Sequence, residues 1–160
     1  MTKPITLAAL LTLLPIACFA APTTGNLPLD VPAKHWAAPA VKAIIRENVM
    51  GRSPDGRFQG DQPVTRYELA VALDRFVRYI EAAHQPLHVQ RVKPGISVSP
   101  KASPTTRHAL NYLASNGFLP PRSPLFTKNG DKPVTAKEMT DALASVTIRL
   151  SDRVETPRKD

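Results

Sequence analysis

Cysteine is nearly absent from this chain: Cys18 is the only one in 160 residues, so no disulfide can form within one molecule and stability must come from packing. Glycine is scarce as well. Seven glycines stand against seventeen prolines, with aromatic residues at 6%, which points to short elements joined by stiff connections rather than long strands in a large sheet. The apolar run from Ile5 to Leu14 is too short to cross a bilayer comfortably and is followed by Pro15. No acid/base pair, nucleophile constellation or metal-binding cluster is legible, and an enzyme is not expected. His84 and His88 have the spacing of two ligands on a helix, but Pro86 between them breaks that register.

What is present begins with Met1-Thr2-Lys3, the apolar run, and the small residues Ala17, Cys18, Ala20 and Ala21, the pattern of a secretory signal and its cleavage site. Residues 1–21 are therefore expected to be removed, with acylation of Cys18 as the alternative that would place a lipid anchor there. The formal charge of +8 loses only Lys3 on cleavage, so the exported protein stays basic and an acidic partner is expected. Export turns that expectation away from nucleic acid and toward an anionic wall polymer or membrane surface.

Two segments read as diverged copies of one helix-loop-helix unit. Ala40-Val41-Lys42-Ala43-Ile44 aligns with Ala109-Leu110-Asn111-Tyr112-Leu113, Asn48-Val49-Met50 with Gly117-Phe118-Leu119, and Pro63-Val64-Thr65 and Glu68 with Pro133-Val134-Thr135 and Glu138. Thr65 with Glu68 and Thr135 with Glu138 each form a capping box that should start a helix. The first helix should open at Pro39, bury Val41, Ile44, Ile45 and Val49, and end near Gly51. The second should carry Leu69, Leu73, Phe76, Val77 and Ile80 inward and run to about Ala83. After Thr135 the corresponding stripe is Met139, Ala142, Leu143 and Val146.

The resulting division is a signal at 1–21, a short segment at 22–29, the first unit at 30–83, a linker at 84–104, the second unit at 105–150 and a charged tail at 151–160. The linker is rich in Pro, Ser and basic residues, and its apolar positions between Leu87 and Val98 allow one short strand. The expected class is mainly α, with the two units packed as one small helical domain.

In order along the first unit stand Asp30-Val31-Pro32, His35-Trp36-Ala37, Asp55-Gly56-Arg57-Phe58 and Val64-Thr65-Arg66-Tyr67-Glu68-Leu69-Ala70. This series resembles the S-layer homology module over its full length. The resemblance implies a non-catalytic unit, often grouped in threes, that holds a surface protein against cell-wall polysaccharide carrying ketal-linked pyruvate. It implies no cofactor. The family's ligand signature begins Thr-Arg, matched by Thr65-Arg66, with Tyr67 and Glu68 completing the local form.

A first-turn arginine offers a planar fork suited to a carboxylate, beside the free amides of a helix N-terminus. Arg66 could equally bridge Asp55, Asp61 or Asp74. Trp36 stands where the family places a tryptophan near its groove, and serves either sugar stacking or packing. Gly51 either admits a sugar closely or forms a left-handed cap. The implied polysaccharide-binding set is thus Arg66, Thr65, Trp36, Gly51 and Glu68, while Asp30 and His35 read as caps or loop hydrogen bonders.

The second unit departs from the pattern. Its Thr-Arg step becomes Thr135-Ala136, it has no tryptophan, and Lys137 lacks an arginine's bidentate fork. The implied partner is an anionic wall polysaccharide or a peptidoglycan-linked polymer, with self-association or a partner needed to complete a three-unit spindle. An envelope adaptor that uses the same fold for protein contact without sugar remains the alternative.

Overall fold

The computed structural model describes residues 27–83, 102–126 and 129–154. The expected signal, the lipidation alternative at Cys18, the linker strand and the His84–His88 pair lie outside those residues. The described chain is helical, in the order α1 (Ala38–Arg46), α2 (Arg66–Ala83), α3 (Pro104–Ser115), a 3₁₀ turn (Pro124–Phe126) and α4 (Ala136–Val154). Among the described residues no helix is long and apolar enough to cross a membrane.

Both capping boxes form. The Glu68 carboxylate accepts from the Thr65 amide at 2.8 Å while the Glu68 amide donates to Thr65 Oγ1 at 3.2 Å. Glu138 and Thr135 repeat the exchange at 2.9 and 3.2 Å. Each box satisfies two donors that a helix start would otherwise leave bare.

α1 and α3 also stop in the same way. After α1, Asn48 takes a left-handed φ of 55°, and the Val49 and Met50 amides return to the Ile44 carbonyl at 2.9 and 3.2 Å. After α3, Gly117 has φ 66°, and the Phe118 and Leu119 amides return to the Leu113 carbonyl at 2.9 and 3.4 Å. The left-handed residue reverses the chain, so α1 ends at Arg46 rather than near Gly51, and the cap role falls to Asn48.

The core lies between α2, α3, the 3₁₀ turn and α4. Leu69, Leu73 and Val77 of α2 meet Leu110 and Leu113 of α3, Phe118, Leu119 and Leu125 beyond it, and Ala142, Val146 and Leu150 of α4. Leu110, Leu113, Phe118, Leu125 and Val77 are fully buried, and removing any one of these side chains would cost about 2–5 kcal/mol. Phe76, Ile80 and Met139 pack on the edge of this cluster.

Leu143 and most of the inward residues expected for the first helix fall outside this core. Leu143 is 45% exposed, because the inward line of α4 runs through 142, 146 and 150 and turns residue 143 aside. No α1 residue belongs to the main cluster; Ala38 and Val41 are buried, whereas Ile44, Ile45 and Val49 are half-buried.

α4 continues through Val154, into the stretch read as a charged tail. Arg153 anchors its last turn: the guanidinium lies 4.1 Å over the Phe118 ring, donates to the Asn116 carbonyl at 2.5 Å, and pairs with Glu81 at 3.3 Å. Glu81 also accepts from the Tyr112 hydroxyl, and burial together with that bond pushes the Tyr112 pKa up to about 12.

Candidate functional site

The start of α2 is where the Thr65-Arg66 step was expected to face a ligand, and here the chain meets itself. Thr65 bridges to Pro133, the Val134 amide donates to the Val64 carbonyl at 2.8 Å, and the Arg66 and Tyr67 amides donate to the carbonyls of Lys132 and Gly130 at 3.1 and 3.0 Å. Helix amides that would otherwise be free at this end are thus taken by the loop ahead of α4.

The Arg66 side chain follows the same course. Its Nη2 lies 2.7 Å from Glu138 Oε1, its Nε is shared between both carboxylate oxygens at 3.3 and 3.2 Å, and its Nη1 donates to the Asn129 carbonyl at 3.3 Å. Arg66 and Glu138 side chains are only 16% and 17% exposed. The guanidinium, foremost, holds the Glu138 carboxyl below the usual carboxylate range, with help from the Thr135 amide. Its partner is Glu138, not Asp55, Asp61 or Asp74.

Asp30 ties the entry segment to the long loop. Its two carboxylate oxygens accept from the Phe58 and Gln59 amides, each at 2.7 Å, and the Phe58 bond is the main reason its pKa lies below the ordinary value. His35 Nδ1 accepts from the Ala37 amide at 3.2 Å. Trp36, beside the His35 ring at 5.7 Å, is 87% exposed and packs no helix pair. Lys137 is paired with Asp141 at 2.7 Å on the surface.

Between the α1–α2 loop, the first half of α2 and Thr106 of α3 lies a cavity of about 440 Å³. That size falls in the ordinary range for small-molecule sites. Gly51 and Glu68 line it; Thr65, Arg66 and Trp36 do not. Tyr67, which completes the local form of the signature, lines it too, and the structure adds Arg52 and Arg75, which sequence reasoning passed over. A signal for Arg75 was available, since Glu68, Val71, Ala72 and Arg75 recur at helical spacing and present one face of α2. For Arg52 only the adjacency to Gly51 hinted at a role.

Gly51 has no heavy atom within 4 Å of where a Cβ would stand, and its backbone is not left-handed, so its small size leaves open space at the cavity wall. Gly130 is the opposite case. A Cβ there would stand 1.8 Å from the Tyr67 ring, so glycine is what lets that ring lie against the loop.

The family profile of the S-layer homology domain matches residues 29–70, the stretch that holds the Asp30 clamp, the loop and the start of α2. The chain carries an S-layer homology domain. It is 33% identical over 87 residues to the outer membrane protein SlpA of Thermus thermophilus, a match covering 54% of this chain and 9% of that protein. Over 52 residues it is 42% identical to outer membrane protein alpha of Thermotoga maritima, covering 32% of this chain and 13% of the relative. A cellulosome-anchoring protein of Acetivibrio thermocellus is 34% identical over 61 residues, or 38% of this chain and 14% of that protein. The chain thus spans only a small part of each curated relative. No solved structure matches it. Among the described residues no group of three or more His, Cys, Asp or Glu side chains could hold a metal ion.

Proposed function

We propose that this chain is a non-catalytic cell-envelope protein whose S-layer homology domain binds an anionic cell-wall polysaccharide or peptidoglycan-linked polymer, anchoring or organising the cell surface. The observation that carries the reading is the cavity itself: the α1–α2 loop, inside the matched stretch, and α2, which runs on beyond it, border a space lined by two arginines and one carboxylate, Arg52, Arg75 and Glu68. Relatives named as outer membrane and cellulosome-anchoring proteins support an envelope setting, and the sequence of residues 1–21 supports export.

In this reading Gly51 admits the sugar, Glu68 lines the site, Thr65 orients Glu68, and the exposed Trp36 ring offers a stacking face outside the cavity. Pyruvate ketals on the polymer would supply carboxylates for the cationic side chains. The second unit, read as a worn copy of the module, serves as scaffold through the Arg66–Glu138 contact, and self-association would supply further units.

One observation favours the adaptor reading: the arginine of the family's ligand signature has its fork closed on Glu138. Sedimentation of the full chain with isolated sacculi, before and after removal of attached polysaccharide, separates the two. Polymer-dependent binding is expected; an equal signal from stripped and intact sacculi, or none, favours the adaptor.

A further inference from the structure

Among the described residues, the buried side-chain polar atoms without a hydrogen-bond partner are Nε and Nη2 of Arg52 and the hydroxyl of Tyr67. Both residues line the same cavity. Native proteins leave few such atoms, and a buried cationic donor without an acceptor is the most costly kind. Their concentration at one place marks a site made for a ligand that supplies oxygen acceptors.

The charge around them points to the sign of that ligand. The charged side chains lining the cavity are Arg52, Arg75 and Glu68, and neither arginine is ion-paired with a carboxylate among the described residues. Glu68 Oε2 is already engaged by the Thr65 amide and hydroxyl at 2.8 and 2.9 Å. Arg57, on the same loop, is by contrast 61% exposed and lies 3.7 Å from Asp55, outside the cavity.

We infer that the anion-recognising residue of this domain is Arg52, seconded by Arg75 and the Tyr67 hydroxyl, and that it takes a carboxylate or phosphate borne on a saccharide of the polymer. The inference rests on the proposed wall binding and relocates its charged contact from the α2 N-terminus, where Arg66 is held by Glu138, to the lining of the loop cavity. A guanidinium can grip either oxyanion through two parallel N–H bonds, and Nε with Nη2 is one such pair of donors. The missing Cβ at Gly51 leaves the adjoining wall open for a sugar ring.

Sedimentation of the full chain with sacculi at one salt concentration tests this with three variants. Arg52→Gln should weaken binding about ten- to a hundredfold, the loss that accompanies a charge-assisted hydrogen bond. Arg57→Gln removes the same charge from the same loop and should change binding less than about twofold. Gly51→Ala should keep the parent's melting temperature, since its methyl meets nothing in the protein, and should also weaken binding. Equal losses for Arg52→Gln and Arg57→Gln, or parent-like binding by both Arg52→Gln and Gly51→Ala, overturn the inference and leave wall binding standing. A parent that does not sediment overturns wall binding and, with it, this subsite.

Titration of the parent with glucuronate, inorganic phosphate and glucose, read on the Arg52 Nε–H resonance by NMR, then separates the two oxyanions. One or both anions should shift it, and glucose should not. Movement of the Arg57 resonance alone would sink the assignment.

Discussion

Arg66 reaches across 72 positions of sequence to close on Glu138, joining the first turn of α2 to the first turn of α4 at 2.7 Å. Ala136 follows Thr135 where Arg66 follows Thr65, so the second capping box has no arginine to return the contact to Glu68. Arg66→Ala and Glu138→Gln should each lower the melting temperature, and the double variant should lose less than the two single losses summed. Thermal unfolding of the four proteins in a double-mutant cycle measures this. Strict additivity would mean that the pair contributes no coupling.

Thr65→Ala and Thr135→Ala should each cost about 1 kcal/mol, since each removes the hydroxyl half of a capping box. Urea titration reads the two losses directly. Parent-like midpoints for both would contradict the helix starts.

Gly130→Ala should destabilise by about 1–3 kcal/mol, the usual range for forcing extra volume into a packed site, because the new methyl overlaps the Tyr67 ring. It should also disturb the cavity wall that Tyr67 forms. Chemical denaturation together with the Tyr67 ring resonances would show both effects. A variant with parent stability and unmoved resonances is the contrary result.

Acid should loosen the long loop before it unfolds the core. Asp30 is held below its ordinary pKa chiefly by the Phe58 amide, so its contribution is fully present above the usual carboxylate range and fades as pH falls through the depressed folded value. Glu138, held down chiefly by Arg66, behaves in the same sense. The Phe58 and Gln59 amide resonances should therefore titrate below the usual carboxylate range, and Asp30→Asn should abolish that transition. Amides that follow a normal carboxylate titration would show that Asp30 is not their acceptor at neutral pH.

Local chemistry in this chain was legible from residues alone. Thr65 with Glu68 and Thr135 with Glu138 specify helix starts through atoms only three residues apart, and the 3.6-residue recurrence of Leu69, Leu73 and Val77 specifies the buried face of α2. The ordered blocks between Asp30 and Ala70 were enough to point to the S-layer homology domain.

What the tertiary structure decided are the relations between segments that no spacing rule connects. A guanidinium takes whichever carboxylate the packing brings near, and for Arg66 the docking of the loop at 129–134 brings Glu138 rather than an aspartate of its own unit. The same docking fills the α2 amides. The orphaned donors of Arg52 and the Tyr67 hydroxyl could likewise not be read in advance, because whether a polar atom lacks a partner depends on every neighbour the fold places around it.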